Sequence, residues 1–306
     1  MNGSPSRALV LGGGGSCGNA WLIGVLAGLA EAGLDVTGAD LIVGTSAGAT
    51  AAAQLGLAPL DELMASTQVA VPSRAGGAAS RPAADPIERL RSLIAASSGI
   101  ADFRRRVGAF AIAAVGPEWS QRWRQTVAAR LPGAVWPERR ILITAVDAES
   151  GEPVDLDATS GVTLVDAVAA STSGGPAFTI GDRAYIDGGY RANSDNADLA
   201  AGHDRVLVLS PLGGRSLHPV EWGTHLAGQV DALRAAGSVV ETVFPDAAAL
   251  AAFGDDMMDV SRRPAAARAG HAQGVALSER IARFWTARGG RTARGGSSSD
   301  FGRLSR

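Results

Sequence analysis

The stretch Leu41-Ile42-Val43-Gly44-Thr45-Ser46-Ala47-Gly48-Ala49 leaves a chain few ways to fold. Three apolar residues lead into Gly-x-Ser-x-Gly, and an alanine-rich helical stretch follows. That order is strand, sharp turn carrying the serine, helix, the layout of a nucleophile elbow. Gly44 and Gly48 suit it because side chains would crowd so tight a turn. Ser46 then falls at a helix N-terminus, where unpaired N–H groups favour negative charge. The same residues also describe a plain strand-to-helix turn in which Ser46 only caps the helix, a favoured place for serine. The motif alone does not separate the two.

Upstream, Ala8-Leu9-Val10-Leu11 runs into Gly12-Gly13-Gly14-Gly15-Ser16-Cys17-Gly18. The pattern predicts a buried parallel strand, a glycine loop, and a helix from about Asn19 to Ala32 closed by Gly33. Four successive glycines cost backbone entropy, so bare backbone must approach something closely. Two uses compete. Gly13 to Gly18 satisfies G-x-G-x-x-G after a strand, with Asp35 and Asp40 about 20 residues on, as a dinucleotide site requires. Alternatively, the exposed N–H groups form an oxyanion hole beside Ser46. A Walker P-loop is excluded, because it needs a lysine and all 28 basic residues are Arg.

Beyond Ala49–Leu57, a second helix, and a short one at Asp61–Val69, the segment 71–84 is rich in Gly, Pro, Ser and Ala and reads as a loop or hinge. Residues 86–136 look helical, so 71–136 forms a helical insertion and a candidate cover over the site. Its Trp119/Trp123 pair, one turn apart and flanked by Arg122 and Arg124, suits core packing better than a lipid-facing role. Strands follow at Arg140–Val146, Pro153–Leu156, Arg183–Ile186 and Arg205–Leu209, with helices at Val162–Ala170 and Ala197–Ala201. Strands alternating with helices argue for an α/β fold on a mainly parallel central sheet with helices on both faces. Its boundaries are 5–212 for the α/β domain, 213–287 for a helical C-terminal extension (roughly 219–244, 246–260 and 273–287), and 288–306 for a disordered tail. The three motifs at Gly12–Gly18, Gly44–Gly48 and Asp187-Gly188-Gly189 each follow a strand, so they can converge on one sheet edge.

Composition removes other classes. With 306 residues, 46% hydrophobic, the chain can bury a large core. A net charge of −2 gives no electrostatic reason to expect nucleic acid. The single cysteine, Cys17, rules out an intramolecular disulfide or a cysteine-built zinc site, and His203, His218, His225 and His271 show no metal-ligand spacing. Met1–Arg7 is short and polar, and the apolar stretches near Ala20–Ala30 and Val107–Val115 fall short of the roughly 18–20 residues of a membrane span. The expectation is a cytoplasmic protein, in peripheral contact with a membrane through 71–136.

Taken in order, Gly13–Gly18, Gly44-Thr45-Ser46-Ala47-Gly48 and Asp187-Gly188-Gly189 resemble the patatin-like phospholipase family, over roughly residues 7–212, and Thr144–Glu152 resembles that family's central strand and turn. The resemblance implies a three-layer α/β/α fold and a serine hydrolase of lipid esters that needs neither metal nor cofactor. Ser46 would be its nucleophile and Asp187 its general base, with N–H groups of Gly13, Gly14, Gly15 and Ser16 as the oxyanion hole. Gly18, Gly44, Gly48, Gly188 and Gly189 would support those motifs. Three departures bear on substrate choice: Cys17 where the family usually carries a basic residue, Asn193-Ser194 where it has Asn-Pro, and a longer Ser171–Pro176 loop.

The chemistry has its own logic. A serine hydroxyl is a poor nucleophile until a base takes its proton. A carboxylate serves if it lies within hydrogen-bond reach and desolvation raises its pKa. On its own, Asp187 before Gly-Gly is an ordinary turn aspartate. His203 follows Asp187 in the chain order of a hydrolase triad. However, Gly202-His203-Asp204 reads as a surface turn just before a strand.

Overall fold

The computed structural model describes residues 5–69, 86–116, 118–131 and 133–287. The hinge read at 71–84 and the tail read at 288–306 lie outside them. The chain opens with β1 (Arg7–Leu11), α1 (Gly15–Glu31), β2 (Leu41–Gly44), α2 (Ala47–Leu55) and α3 (Leu60–Thr67). Helices α4 (Pro86–Ala95), α5 (Ile100–Ala113) and α6 (Trp119–Ala128) form the insertion. Then come β3 (Ile141–Asp147), β4 (Pro153–Leu156), α7 (Leu164–Ser171), β5 (Phe178–Ile180), β6 (Arg183–Asp187) and β7 (Arg205–Leu209). The C-terminal part holds α8 (Leu226–Ala235), β8 (Val239–Val243), α9 (Ala247–Phe253) and α10 (Arg263–Thr286).

The strands make one mixed, mostly parallel sheet in the order β5-β6-β3-β2-β1-β7-β8, with β4 on the other edge of β3. Both faces are covered, which is why β1 reads as an unbroken apolar run instead of an alternating one. Leu9 and Leu11 pack with α1, α2 and α7, while Ala8 and Val10 pack with α8 on the other face. Helix α5 covers the far end of that second face, where Phe103 and Val107 meet Val146 and Ile186. In the insertion, Trp123 stacks on Trp119 at 5.7 Å, donates Nε1–H to the Ala169 carbonyl and packs on the main core, so the core reading holds for Trp123, while Trp119 is half-buried against its ring.

The structure departs from the sequence reading in three places: α1 begins at Gly15 instead of about Asn19, Phe178–Ile180 adds the unexpected strand β5, and one longer stretch changes type. Residues 219–244, expected to be helical, contain β8, which pairs in parallel with β7 from Arg205↔Val239 to Leu209↔Val243. Val-Val-Glu-Thr-Val is rich in β-branched residues, which fit a pleated surface, and Gly237 at φ +103° ends the preceding helical turn. The C-terminal part therefore adds an edge strand as well as helices.

Helix α1 is buried nearly all round, between the sheet and α10. Gly24 and Gly28 of α1 face Gly270 and Gly274 of α10. A Cβ on Gly24 would collide with the Ala267 carbonyl, and one on Gly274 with the Val25 carbonyl. Small residues four apart on both helices let the two backbones touch. This contact anchors the helix that carries the glycine loop.

The feature that builds the site lies on β3. One of its edges carries two strands in succession: β2 over Ile141–Ile143, and β6 over Ala145–Asp147. Strand β4 occupies the opposite edge. The hydrogen bonds alternate accordingly. Asp147 N–H goes to Glu152 on the β4 side, and Ala148 N–H to Ala184 on the β6 side. Because β2 is parallel to β3 and β6 antiparallel, their carboxyl ends approach each other head-on, with Thr144 between.

Candidate active site

Ser46 follows β2 by two residues, at φ 52° and ψ −111°, a conformation that L residues rarely adopt. Close packing imposes it. A Cβ on Gly48 would collide with the Leu11 carbonyl, and one on Gly44 would come within 2.7 Å of Ala49 Cα. Thr45 N–H donates to Leu11 O at 3.1 Å, wedging the elbow against the end of β1. Ser46 N–H donates to Ser171 Oγ at 3.0 Å, on the last residue of α7.

Asp187 arrives from the other direction as the last residue of β6. Ser46 Oγ donates to its Oδ2 at 2.8 Å, and Gly189 N–H donates to its Oδ1 at 2.8 Å. Only part of Asp187 reaches the cleft, and removal from water pushes its carboxyl up to about 6, against the pull of the Gly189 and Ser46 hydrogen bonds. Gly188 has no room for a side chain, since a Cβ there would collide with Thr144 Oγ1. The turn therefore crosses directly over β3.

The glycine loop closes the third side. Gly12 N–H donates to Leu209 O at 2.9 Å, and Gly13 N–H to Ser194 O at 2.7 Å. Gly13 lies against the nucleophile candidate, for a Cβ on it would stand 3.5 Å from Ser46 Cβ. Gly15 has φ +60° and begins α1, with Met258 Sδ 2.7 Å from the place of a Cβ. Gly18 N–H donates back to Gly14 O at 2.8 Å, and Cys17 N–H to Met257 O at 3.0 Å. Among the described residues, the N–H groups of Gly14, Gly15 and Ser16 have no partner. Of the four donors expected from sequence, Gly13 thus has its N–H occupied.

Two sequence alternatives are placed elsewhere. Asp40 immediately precedes β2, where its Oδ2 accepts from Arg7 N–H at 2.7 Å, and Asp35 caps Thr37. Both carboxylates sit at the opposite end of the strands from the glycine loop, so they do not complete a dinucleotide site. His203 precedes β7 by two residues and bonds Ala200 O at 3.1 Å. It is separated from Ser46 by the length of the sheet, about 20 Å at 3.3 Å per residue. Cys17 is buried, its Sγ 3.6 Å from Asp259 O, and burial pushes its thiol up. Among the described residues no group of three or more His, Cys, Asp and Glu is placed to hold a metal ion, and no helix is long and apolar enough to cross a membrane.

A cavity of about 220 Å³ is lined by Ile87, Arg89, Leu90, Leu93, Val107, Phe110, Ala111 and Tyr190. Gly174 and Gly175 complete the lining. A Cβ on Gly174 would stand 3.6 Å from Asp187 Oδ2, so that part of the lining is shared with the candidate site.

Other site residues lacked a sequence signal. Ser171 holds the elbow N–H. Asn196, wholly buried at φ 54°, donates to Thr45 Oγ1 at 3.1 Å and to Gly188 O at 3.0 Å. Asp195 lies under Gly12, bonded by Ser210, and burial pushes its carboxyl up to about 7. Asn193-Ser194 stands out in the sequence only as a departure from Asn-Pro, whereas Asp195 and Asn196 read as an ordinary polar turn and only burial marks them out.

The profile of the family described as patatin-like phospholipase matches residues 9–200. Among solved structures, the chain is similar to the type III effector protein ExoU, at 17% identity and a TM-score of 0.40, over 90% of this chain and 54% of that one. It is also similar to VipD from Legionella pneumophila, at 11% identity and a TM-score of 0.43, over 90% and 67%. The chain spans about half the length of the first (54%). No curated protein matches it.

Proposed function

The chain belongs to the patatin-like phospholipase family, and from that premise we propose that it is a serine hydrolase of lipid carboxylic esters, working through Ser46 and Asp187. The observation that carries this reading is the 2.8 Å hydrogen bond from Ser46 Oγ to Asp187 Oδ2, on a carboxyl whose pKa burial raises towards neutrality. A base so poised is ionised at pH 7 yet basic enough to accept a proton as the serine attacks.

In the first half-reaction, Ser46 Oγ bonds to the acyl carbon and its proton passes to Asp187. The negative charge gathers on the former carbonyl oxygen, where the N–H groups of Gly14, Gly15 and Ser16 are the donors at hand, with the α1 N-terminus behind them. Collapse breaks the carbon–oxygen bond to the alcohol, which takes the proton from Asp187. Water then attacks the acyl-serine, gives its proton to Asp187, and the carboxylic acid leaves as Ser46 Oγ is reprotonated. Neither half calls on a metal or an organic cofactor.

The cavity, mostly apolar with Arg89 in its lining and sharing Gly174 with the surroundings of Asp187, would take the acyl chain. At ~30 Å³ per water-sized group, 220 Å³ holds about seven methylenes. Ile87 and Phe110, two of its lining residues, are partly exposed and would meet a lipid surface. On this reading the membrane contact would be made by α4 and α5, within the 71–136 insertion. The α/β unit at 5–212 carries all of this machinery, with the C-terminal part bracing it.

The test is labelling by a fluorophosphonate probe. Wild type should label and hydrolyse a short-chain ester. Ser46→Ala should lose both, with hydrolysis down by roughly 10⁴-fold. Undiminished labelling of Ser46→Ala would overturn the assignment.

A further inference from the structure

Strands β2 and β6 are each registered to β3, and no ladder hydrogen bond joins one to the other. The sheet therefore brings Ser46 and Asp187 into the same neighbourhood without fixing the last ångström between them. One buried side chain spans that gap. Asn196 Nδ2 donates to Thr45 Oγ1 and to Gly188 O. Thr45 immediately precedes Ser46, and Gly188 immediately follows Asp187.

The orientation of the amide follows from its neighbours. Gly188 O can only accept, so the NH₂ must face it. Arg191 Nη1 can only donate, and it lies 3.4 Å from Oδ1 on the other side. Both amide hydrogens are thus engaged. The position is itself held firmly. The left-handed backbone at φ 54° and ψ 42° is one that asparagine tolerates better than most residues. Asn193 Oδ1 accepts the N–H groups of Asp195 and Asn196 at 2.7 and 2.8 Å, and Asn193 Nδ2 donates to Thr224 O at 2.6 Å. Thr144 Oγ1 donates to Thr45 Oγ1 at 3.0 Å and fills the space between the strand ends.

We infer that Asn196 is a positioning residue, which sets the separation of Ser46 and Asp187 by tying Thr45 to Gly188. It touches no reacting atom, so it acts on the rate of acyl transfer and leaves substrate binding alone. The inference rests on the proposed roles of Ser46 and Asp187. A misplacement of about 1 Å between reacting groups can cost ~10²-fold in rate.

The test uses the full chain and three variants. Asn196→Gly keeps the left-handed backbone and removes the amide. Asn196→Asp keeps the shape and loses both donors. Thr45→Val cuts the same tie from the other end. For each, kcat and KM on a soluble short-chain ester, the second-order rate of fluorophosphonate labelling, and the thermal midpoint are measured. The expected result is a fall of about 10- to 100-fold in kcat and in labelling rate together, with KM within two-fold of wild type. The Asn196→Gly/Thr45→Val double variant should be no slower than the worse single variant by more than about three-fold, because both remove one interaction. A folded variant with wild-type kcat, multiplicative losses in the double variant, or a kcat loss that merely tracks the folded fraction would each overturn it. If both Asn196 variants fail to fold, Thr45→Val decides alone, and wild-type kcat there refutes the tie. Labelling that persists in Ser46→Ala is a different failure, that of the nucleophile assignment.

Discussion

Replacing Asp195 by asparagine should shift stability in the variant's favour, relative to wild type, as pH rises. Asp195 is 2% exposed, and among the described residues its Oδ1 has no hydrogen-bond partner while Ser210 bonds the carboxylate. Desolvation therefore pushes its carboxyl from 3.8 up to about 7. The sign follows from proton counting. Between pH 3.8 and 7 the folded state holds the proton and the unfolded chain does not, so stability falls as pH rises. Below the unfolded value both states are protonated and the stability is fully present. Above about pH 7 both are ionised and the loss is complete. The shift is about 3 units, and at ~1.36 kcal/mol per unit the ionised carboxylate costs about 4 kcal/mol by pH 8. Asparagine cannot ionise, but its NH₂ would sit where Oδ1 now lacks a partner. That costs about 1–3 kcal/mol at every pH, moving the curve without changing its slope. Asp187, whose raised pKa acts in both proteins alike, drops out of the difference. Urea unfolding of wild type and Asp195→Asn from pH 4 to 8.5, followed by tryptophan fluorescence, reads the effect directly. The variant should gain about 4 kcal/mol relative to wild type across that range, most of it between pH 4.5 and 7. Parallel curves would refute the reasoning, because they would mean that the buried carboxyl does not change its proton affinity on folding.

Further outcomes follow from the same geometry. The kcat/KM of wild type should rise with pH through about 6 as Asp187 ionises. Asp187→Asn should lose about 10²–10⁴-fold, whereas His203→Ala, at the far end of the sheet, stays within a few-fold. A pH–rate profile with no acid limb, or a His203→Ala loss as deep as that of Ser46→Ala, contradicts this. Leu93→Trp should fill the cavity proposed for the acyl chain and lower kcat/KM for octanoyl esters by about 10-fold or more, sparing acetyl esters; an equal effect on both chain lengths would place the acyl group elsewhere. Gly28→Val should force α1 off α10, since even a Cβ there would collide with the His271 carbonyl. A loss of at least 1–3 kcal/mol in urea unfolding is expected, and an unchanged midpoint would show that the helices can part freely.

Much of the fold could be read from the chain because its signals are local. The continuous apolar run of β1, the elbow after β2 and the Gly-rich punctuation each announce themselves within ten residues. Strand β8 carried a signal too, in Val-Val-Glu-Thr-Val, but it lay inside a polar stretch where helical spacing was equally available. The α1–α10 contact is written as Gly24/Gly28 and Gly270/Gly274, each pair four apart. Its meaning depends on two helices 240 residues apart in sequence meeting, which no local window reveals. Asn196 and Asp195 are the extreme case. Ser-Asp-Asn is ordinary turn vocabulary, and only burial turns one residue into a tie and the other into a pH-sensitive group.

Strand direction was the least legible feature, and it is the one on which the site depends. Apolar pattern says that Arg183–Asp187 is a strand, but not which way it runs. Had β6 been another parallel strand, Asp187 would have projected from the sheet edge beside the elbow, with its distance from Ser46 left to loops. Running antiparallel on the same edge of β3, it ends at Ala145, while β2 ends at Ile143. Two residues of strand span about 6.6 Å, which a serine and an aspartate side chain close with a single 2.8 Å hydrogen bond. That contact leaves no room for an imidazole between them. The register of two strands on one edge of β3 thus accounts for why a carboxylate can meet the serine directly, and a slip of one residue in either strand would move the partners about 3.3 Å apart and break the bond.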